Sequence, residues 1–239
     1  MKKLVPVIVA LALTINATAQ RTVTFQSSDG VTITADIYLN ADSTLPYMLL
    51  CHMAGSSRGE YKETAKKFMR LGYNCMAVDL RSGKEMNGVV NQTNLSAVKS
   101  KKGTDYLDAE KDIDAAIEYL SDKSGKKVVL VGSSYSASLA LKIATNNDKV
   151  SSVIAFSPGE YFGKNLKLKT VIEELNKPVL VMSTAKERDE VNTLMKDVLS
   201  KKKTIFSPST DGEHGSKAIW NVNPNHGDYL MSMITFFNS

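Results

Sequence analysis

The sequence predicts an α/β fold, a mainly parallel central sheet with helices on both faces, opened by an antiparallel hairpin. Three observations predict it. From Tyr47 onward, apolar β-branched runs alternate with stretches of helical spacing, the order that builds a parallel sheet covered on both sides. Before Tyr47, Val23 to Gln26 and Val31 to Leu39 alternate apolar with polar residues around the turn signal Ser28-Asp29-Gly30, with Val31, Ile33, Ala35, Ile37 and Leu39 on one face. Near the middle, K-K-V-V-L-V-G-S-S-Y-S-A-S-L-A-L-K-I-A (126–144) runs from a buried strand through a tight turn at Ser134 into a helix.

Lys2 and Lys3 precede an apolar run from Leu4 to Leu13, and Ala17-Thr18-Ala19 places small residues where a signal peptidase reads. This order predicts a secretory signal peptide over residues 1–19, cleaved before Gln20. The run is well short of the ~20 residues a membrane span needs. No cysteine follows the cleavage site, so the mature chain is expected to be exported, periplasmic or secreted, with no stable membrane anchor. Residues 20–239 suit a single domain. Removing two lysines and no acid takes the formal charge from +5 to +3, too little to imply a polyanionic partner. Lysines cluster at Lys99, Lys101 and Lys102 and at Lys201 to Lys203 without interleaved aromatics that could stack on bases. They read as solvated faces, and no nucleic-acid partner is expected. Cys51 and Cys75 both sit in apolar strand-like runs and read as buried free thiols rather than a bridge.

In chain order, Tyr47 to Cys51 is a buried strand that ends in His52-Met53-Ala54-Gly55-Ser56-Ser57. Tyr61 to Leu71 reads as a helix closed by Gly72, and Asn74 to Leu80 as the next strand, with Asp79 and Arg81 at its end. Ser82 to Gly103 shows no clear period and is expected to be a long functional or mobile loop. Tyr106, Ala109, Ile113, Ala116, Ile117 and Leu120 keep helical spacing and predict the core face of one helix. After the central strand and its helix come a strand over Val150 to Phe156 and a short helix over Val171 to Leu175. They are followed by a strand over Pro178 to Met182, a helix over Val191 to Leu199, a short strand over Thr204 to Phe206 and a closing helix over Tyr229 to Phe237.

Sites in such sheets lie at the C-terminal ends of the strands. Gly132-Ser133-Ser134-Tyr135-Ser136 fits the G-x-S-x-G turn between a buried strand and a helix, except that Ser136 stands where the pattern has its last glycine. Two readings of Ser134 stand at this point: a nucleophile on a strained turn, or a serine that merely caps the helix. The only histidines are His52, His214 and His226, and no two have metal-ligand spacing.

Taken together, the F-Q-S-S-D-G hairpin, the His52 loop, the D-L-R strand end, the elbow and the late His-Gly resemble the α/β-hydrolase superfamily. The likeness is to its small members without a cap, similar to dienelactone hydrolases and serine esterases. That resemblance covers nearly the whole mature chain and implies a triad in the order nucleophile, acid, histidine. It makes Ser134 the nucleophile and His214, in D-G-E-H-G-S, the base; His52 is implied to be structural, and His226 to begin the last helix. It places the acid after the Pro178–Met182 strand, at Glu187, with Asp189 two residues on as an alternative and Glu160, after the preceding strand, as a third. The backbone N–H groups of Tyr135 and Ala54 are the implied oxyanion donors, with Met53 in place of the usual glycine. Met53, Tyr161 and Trp220 are candidate substrate contacts. No cofactor and no metal are called for. The expected activity is hydrolysis of carboxylic esters, of short acyl chains because the chain leaves no room for a cap. A peptidase similar to prolyl oligopeptidase-like catalytic domains, and a non-catalytic binding protein suggested by Ser136 and the irregular acid loop, stand as alternatives.

Overall fold

The computed structural model describes residues 20–239; the expected signal peptide, residues 1–19, lies outside the described residues. The strands are β1 (Gln20–Gln26), β2 (Thr32–Tyr38), β3 (Tyr47–Cys51), β4 (Asn74–Val78), β5 (Glu85–Met86), β6 (Val89–Val90), β7 (Val128–Ser133), β8 (Val150–Phe156), β9 (Val179–Met182) and β10 (Lys203–Phe206). The α-helices are α1 (Ala65–Met69), α2 (Gln92–Lys99), α3 (Glu110–Ser124), α4 (Tyr135–Asn146), α5 (Leu168–Val171), α6 (Arg188–Met195) and α7 (His226–Asn238). Eight strands form one sheet in the order β1-β2-β4-β3-β7-β8-β9-β10. The β1–β2 and β2–β4 pairs are antiparallel and the rest parallel.

The period-two alternation of the strands sorts the core into two layers. Leu49, Cys51, Met76, Val78, Val128 and Leu130 face the cluster that holds α3 and α4 side chains such as Ile113, Ile117, Leu139 and Leu141. Met48, Leu50, Cys75, Ala77, Val129 and Val131 face Phe68 of α1 and Tyr229, Met233 and Phe236 of α7. Cys51 and Cys75 are therefore on opposite faces of the sheet, both buried and both free. No cap domain is evident: the chain between β8 and β9 contains one 3₁₀ turn and the four-residue α5.

Four elements depart from the sequence reading, one of them the short helix expected over Val171 to Leu175, which forms instead over Leu168–Val171. The Tyr61–Leu71 helix is reduced to α1, preceded by a 3₁₀ turn at Arg58–Tyr61 that buries Tyr61 and Glu60. Ser82 to Gly103 is no open loop, for it folds into the β5–β6 hairpin and α2. Asn91 caps α2, its Oδ1 accepting from the Asn94 N–H, and its Nδ2 bonds the Leu80 carbonyl. Thr93 and Ser96 of α2 accept from the Thr34 and Thr32 N–H groups of β2. Polar side chains rather than an apolar period hold this helix in place, which is why hydrophobic spacing does not find it. Finally, α3 begins only at Glu110, and Tyr106 lies outside it, 37% exposed.

Candidate active site

Ser134 sits between β7 and α4 with φ 61° and ψ −124°, a conformation that a side-chain-bearing residue adopts only when its surroundings impose it. The surroundings do so at both flanks. A Cβ on Gly132 would lie 2.4 Å from the Ala137 Cα, so only glycine permits α4 to pack this close to β7. At the other flank, Ser136 is buried and its hydroxyl accepts from the Ser133 N–H at 2.9 Å and donates to the Cys51 carbonyl of β3 at 2.9 Å. The departure from the glycine pattern is thus a staple between elbow and sheet. Ser134 makes no side-chain capping bond to α4.

The loop after β10 brings His214 over the elbow. Gly215, at φ 67°, allows the approach, since a Cβ there would lie 2.6 Å from the Ser133 Oγ and 2.7 Å from the Met53 Cε. The Ser216 N–H then donates to the Ser133 Oγ at 2.8 Å, committing that hydroxyl to the loop. His214 Nε2 lies 2.8 Å from the Ser134 Oγ, and Nδ1 lies 2.5 Å from the Glu187 Oε1.

Glu187 stands at the start of α6. Thr184 and Glu187 bond reciprocally: the Glu187 N–H reaches the Thr184 Oγ1 at 3.2 Å, and the Thr184 N–H reaches the Glu187 Oε2 at 3.0 Å. T-A-K-E is therefore a capping box, a sequence signal that orients this carboxylate. Ser157, at φ 51° after β8, donates to the same Oε2 at 2.7 Å and accepts from the Gly215 N–H at 3.0 Å. Burial pushes the Glu187 carboxyl up, but the bonds from His214, Ser157 and the Thr184 N–H outweigh it and hold the group down at about 2. At neutral pH the site holds a carboxylate, so Nδ1 of His214 carries the proton that bonds it, and in the neutral ring Nε2 is the acceptor facing Ser134.

The other candidates fall elsewhere. Asp189 is exposed in the first turn of α6. Glu160 accepts from the Leu168 and Lys169 N–H groups and caps α5. His52 is fully buried; its Nε2 accepts from the Leu80 N–H at 2.8 Å, so Nδ1 carries the proton and donates to the Met53 carbonyl. His226 opens α7, with Nδ1 against the Asn223 carbonyl. Met53, Ala54, Gly55 and Ser56 form a turn closed by the Ser56 N–H on the Met53 carbonyl. The Met53 N–H is taken by Glu60 at 2.9 Å, while the Met53 side chain packs against Gly215. Glu60, 1% exposed, also accepts from the Ser216 hydroxyl at 2.5 Å, so one buried carboxylate joins the His52 loop to the His214 loop. Sequence reasoning passed over Glu60 and Ser157, which carry no motif.

Tyr161 donates to the Ser157 carbonyl at 2.9 Å, and the Ser157 hydroxyl in turn holds Glu187. It also lines a cavity of about 360 Å³ with Tyr106, Leu107, Phe162, Asn165, Thr104, Asp105 and Asp108. Trp220, expected beside the nucleophile, instead lines a depression of about 300 Å³ with Lys62, Glu63, Lys67 and Val222. The 3₁₀ turn Gly215–Ile219 carries it away from Ser134, and none of Ser134, Glu187 or His214 borders that depression.

The family model of the dienelactone hydrolase family matches residues 35–204, a span that takes in Ser134 and Glu187 and stops short of His214. Among solved structures, an esterase of Pyrococcus furiosus superposes with a TM-score of 0.71 at 16% identity, over 98% of this chain and 96% of that one. A dienelactone hydrolase of Anabaena variabilis gives 0.69 at 13% identity, over 92% of this chain and 97% of that one. The esterase domain of a Rhodothermus marinus protein gives 0.59 at 15%, over 82% and 89%. A search of curated proteins by sequence finds no match. At these identities the structural neighbours establish the α/β-hydrolase fold.

Proposed function

The chain belongs to the dienelactone hydrolase family, and from that premise we propose that it is a serine hydrolase that cleaves carboxylic esters through an acyl-enzyme on Ser134. The observation that carries this reading is the chain of two hydrogen bonds from the Ser134 Oγ to His214, 2.8 Å, and from His214 to Glu187, 2.5 Å. A serine hydroxyl is a weak nucleophile at neutral pH. As its oxygen bonds the ester carbonyl carbon, its proton passes to His214 Nε2, and the Glu187 carboxylate stabilises the imidazolium. Collapse of the tetrahedral adduct breaks the bond to the alcohol oxygen, which leaves with the proton from Nε2. Water then attacks the acyl-enzyme with His214 as base, releasing the acid and restoring the Ser134 hydroxyl.

The oxyanion donors in this mechanism are the backbone N–H groups of Tyr135 and Ala54. Tyr135 is the first residue of α4, where N–H groups have no partner within the helix. Glu60 occupies the Met53 N–H and leaves the next one along the turn, that of Ala54, for substrate. The two features that suggested a non-catalytic protein both have structural accounts, Ser136 as a staple and the acid loop as a capping box. Labelling with an active-site fluorophosphonate tests the reading, and unlabelled protein with no esterase activity would return it to a binding protein.

The acyl chain preferred is short. With no cap and with α2 docked on β2, no apolar tunnel is available, and a longer chain gains its ~0.8 kcal/mol per methylene only where a surface receives it. Across p-nitrophenyl esters from acetate to palmitate, kcat/KM should peak below eight carbons; a maximum at eight or beyond contradicts the open site. We also propose export, with residues 1–19 removed. The N-terminus of protein recovered outside the cytoplasm should read Gln20-Arg21-Thr22, whereas an intact Met1 in that fraction contradicts it.

A further inference from the structure

Resting on the Ser134 hydrolase reading, we propose that the cavity between Tyr106 and Tyr161 is a substrate subsite for an aromatic ring that carries no negative charge. The preferred substrates are then esters with such a ring next to the scissile bond, on the acyl or the alcohol side.

Position comes first. Tyr161 is a wall of the cavity, and its hydroxyl bonds the carbonyl of Ser157, whose own hydroxyl holds Glu187, so a group in the cavity lies one residue from the triad. Tyr106 lies flat on Tyr135, the residue after the nucleophile, with ring centroids 4.4 Å apart and planes at 20°. Tyr135 is fully buried and its hydroxyl is held by Ser82, so the platform beneath Tyr106 is fixed. One face of Tyr106 is covered by that stack, and the residue as a whole stays 37% exposed and lines the cavity. Phe162 and Tyr161 complete an aromatic lining, and a cavity of about 360 Å³ is of a size that ligand pockets take. A flat ring gains stacking in such a slot that a saturated ring or chain of equal area does not.

Charge supplies the second constraint. The wall has two carboxylates, Asp105 and Asp108, and no lysine or arginine among its residues. Asp108 spends one oxygen on the Asp105 N–H, while the Asp105 side chain is exposed at the rim. Glu187 and Glu190 add negative potential at Tyr161. The buried Arg81 offers no compensation, since Asp29 and Asp112 pair it on both sides. An anionic substituent on the ring meets repulsion with no counter-charge in the wall.

Methyl esters and acetates avoid an aromatic reporter group. The test compares methyl phenylacetate with methyl cyclohexylacetate, benzyl acetate with cyclohexylmethyl acetate, and each phenyl ester with its 4-carboxy derivative. In at least one pair kcat/KM should favour phenyl over cyclohexyl about three- to tenfold, and the carboxylate should lower it by about fivefold or more. Tyr106→Leu should bring the phenyl preference near one, a ratio internal to the variant that a general loss of folded protein does not move. Asp105→Lys, at an exposed position, should reverse the discrimination against the carboxylate. If esters are cleaved but both phenyl ratios are near one, or survive Tyr106→Leu, the subsite is overturned and the hydrolase reading stands. If no ester is cleaved and a fluorophosphonate leaves Ser134 unlabelled, both fall.

Discussion

Ser134→Ala is expected to reduce ester turnover by on the order of 10⁴-fold or more and to abolish fluorophosphonate labelling, with the fold unchanged, because residues that act as one unit lose their effect together. Two serines stand side by side at the elbow, and the structure separates them. The Ser133 hydroxyl is buried and accepts from the Ser216 N–H, whereas the Ser134 Oγ is 2.8 Å from His214 Nε2. Alanine at position 134 retains the φ of 61°, so it removes the nucleophile without relieving the backbone strain. Thermal unfolding of the variant should therefore lie close to that of the parent. Ser133→Ala should remain labelled, though it loosens the seat of the His214 loop. Labelling that survives Ser134→Ala and disappears in Ser133→Ala would move the nucleophile by one residue.

Those parts of the molecule governed by short-range hydrophobic order were legible in the sequence. The strands from Tyr47–Cys51 to Thr204–Phe206 announce themselves as apolar runs because a parallel sheet is buried on both faces. Ser134 and His214 were legible from their places after strands, and Glu187 by counting from β9. What stayed hidden is held by polar side chains or by contacts across long separations. The anchors of α2 are Asn91, Thr93 and Ser96, which read as loop residues in isolation. Tyr106 shares helical spacing with Ile113 and Leu120, yet the chain turns into a 3₁₀ segment at Leu107–Ala109 and aims it at Tyr135 instead of the core. Trp220 follows a 3₁₀ turn whose direction no periodicity encodes. Ser157 and Glu60 serve the site only because residues 30 and 156 positions away fold against them. One missed signal was available: T-A-K-E is a capping box, and it separates Glu187 from Asp189 without any structure, although S-P-G-E gives Glu160 the same spacing.

Glu187→Gln is expected to cost about 10⁴-fold in turnover, the scale on which an amide in place of the orienting carboxylate disables a histidine base, while Asp189→Asn should change it little. The amide can keep the reciprocal bonds with Thr184, so the start of α6 survives. It cannot stabilise the imidazolium, and its NH₂ group facing Nδ1 drives the ring to the tautomer whose Nε2 carries the proton, which cannot accept from Ser134. Asp189 is exposed on α6 with only its backbone carbonyl engaged, by the Thr193 hydroxyl. Stability supplies an independent readout. Burial raises the Glu187 carboxyl but its three partners hold it at about 2, below its ordinary value of 4.5. A depressed folded-state pKa stabilises the protein fully above about pH 4.5 and progressively less as pH falls toward 2. The stability gap between parent and Glu187→Gln, measured by chemical denaturation, should therefore be widest at neutral pH and narrow across that window. A gap that is flat with pH, or an Asp189→Asn variant more impaired than Glu187→Gln, would remove Glu187 from the role of orienting acid.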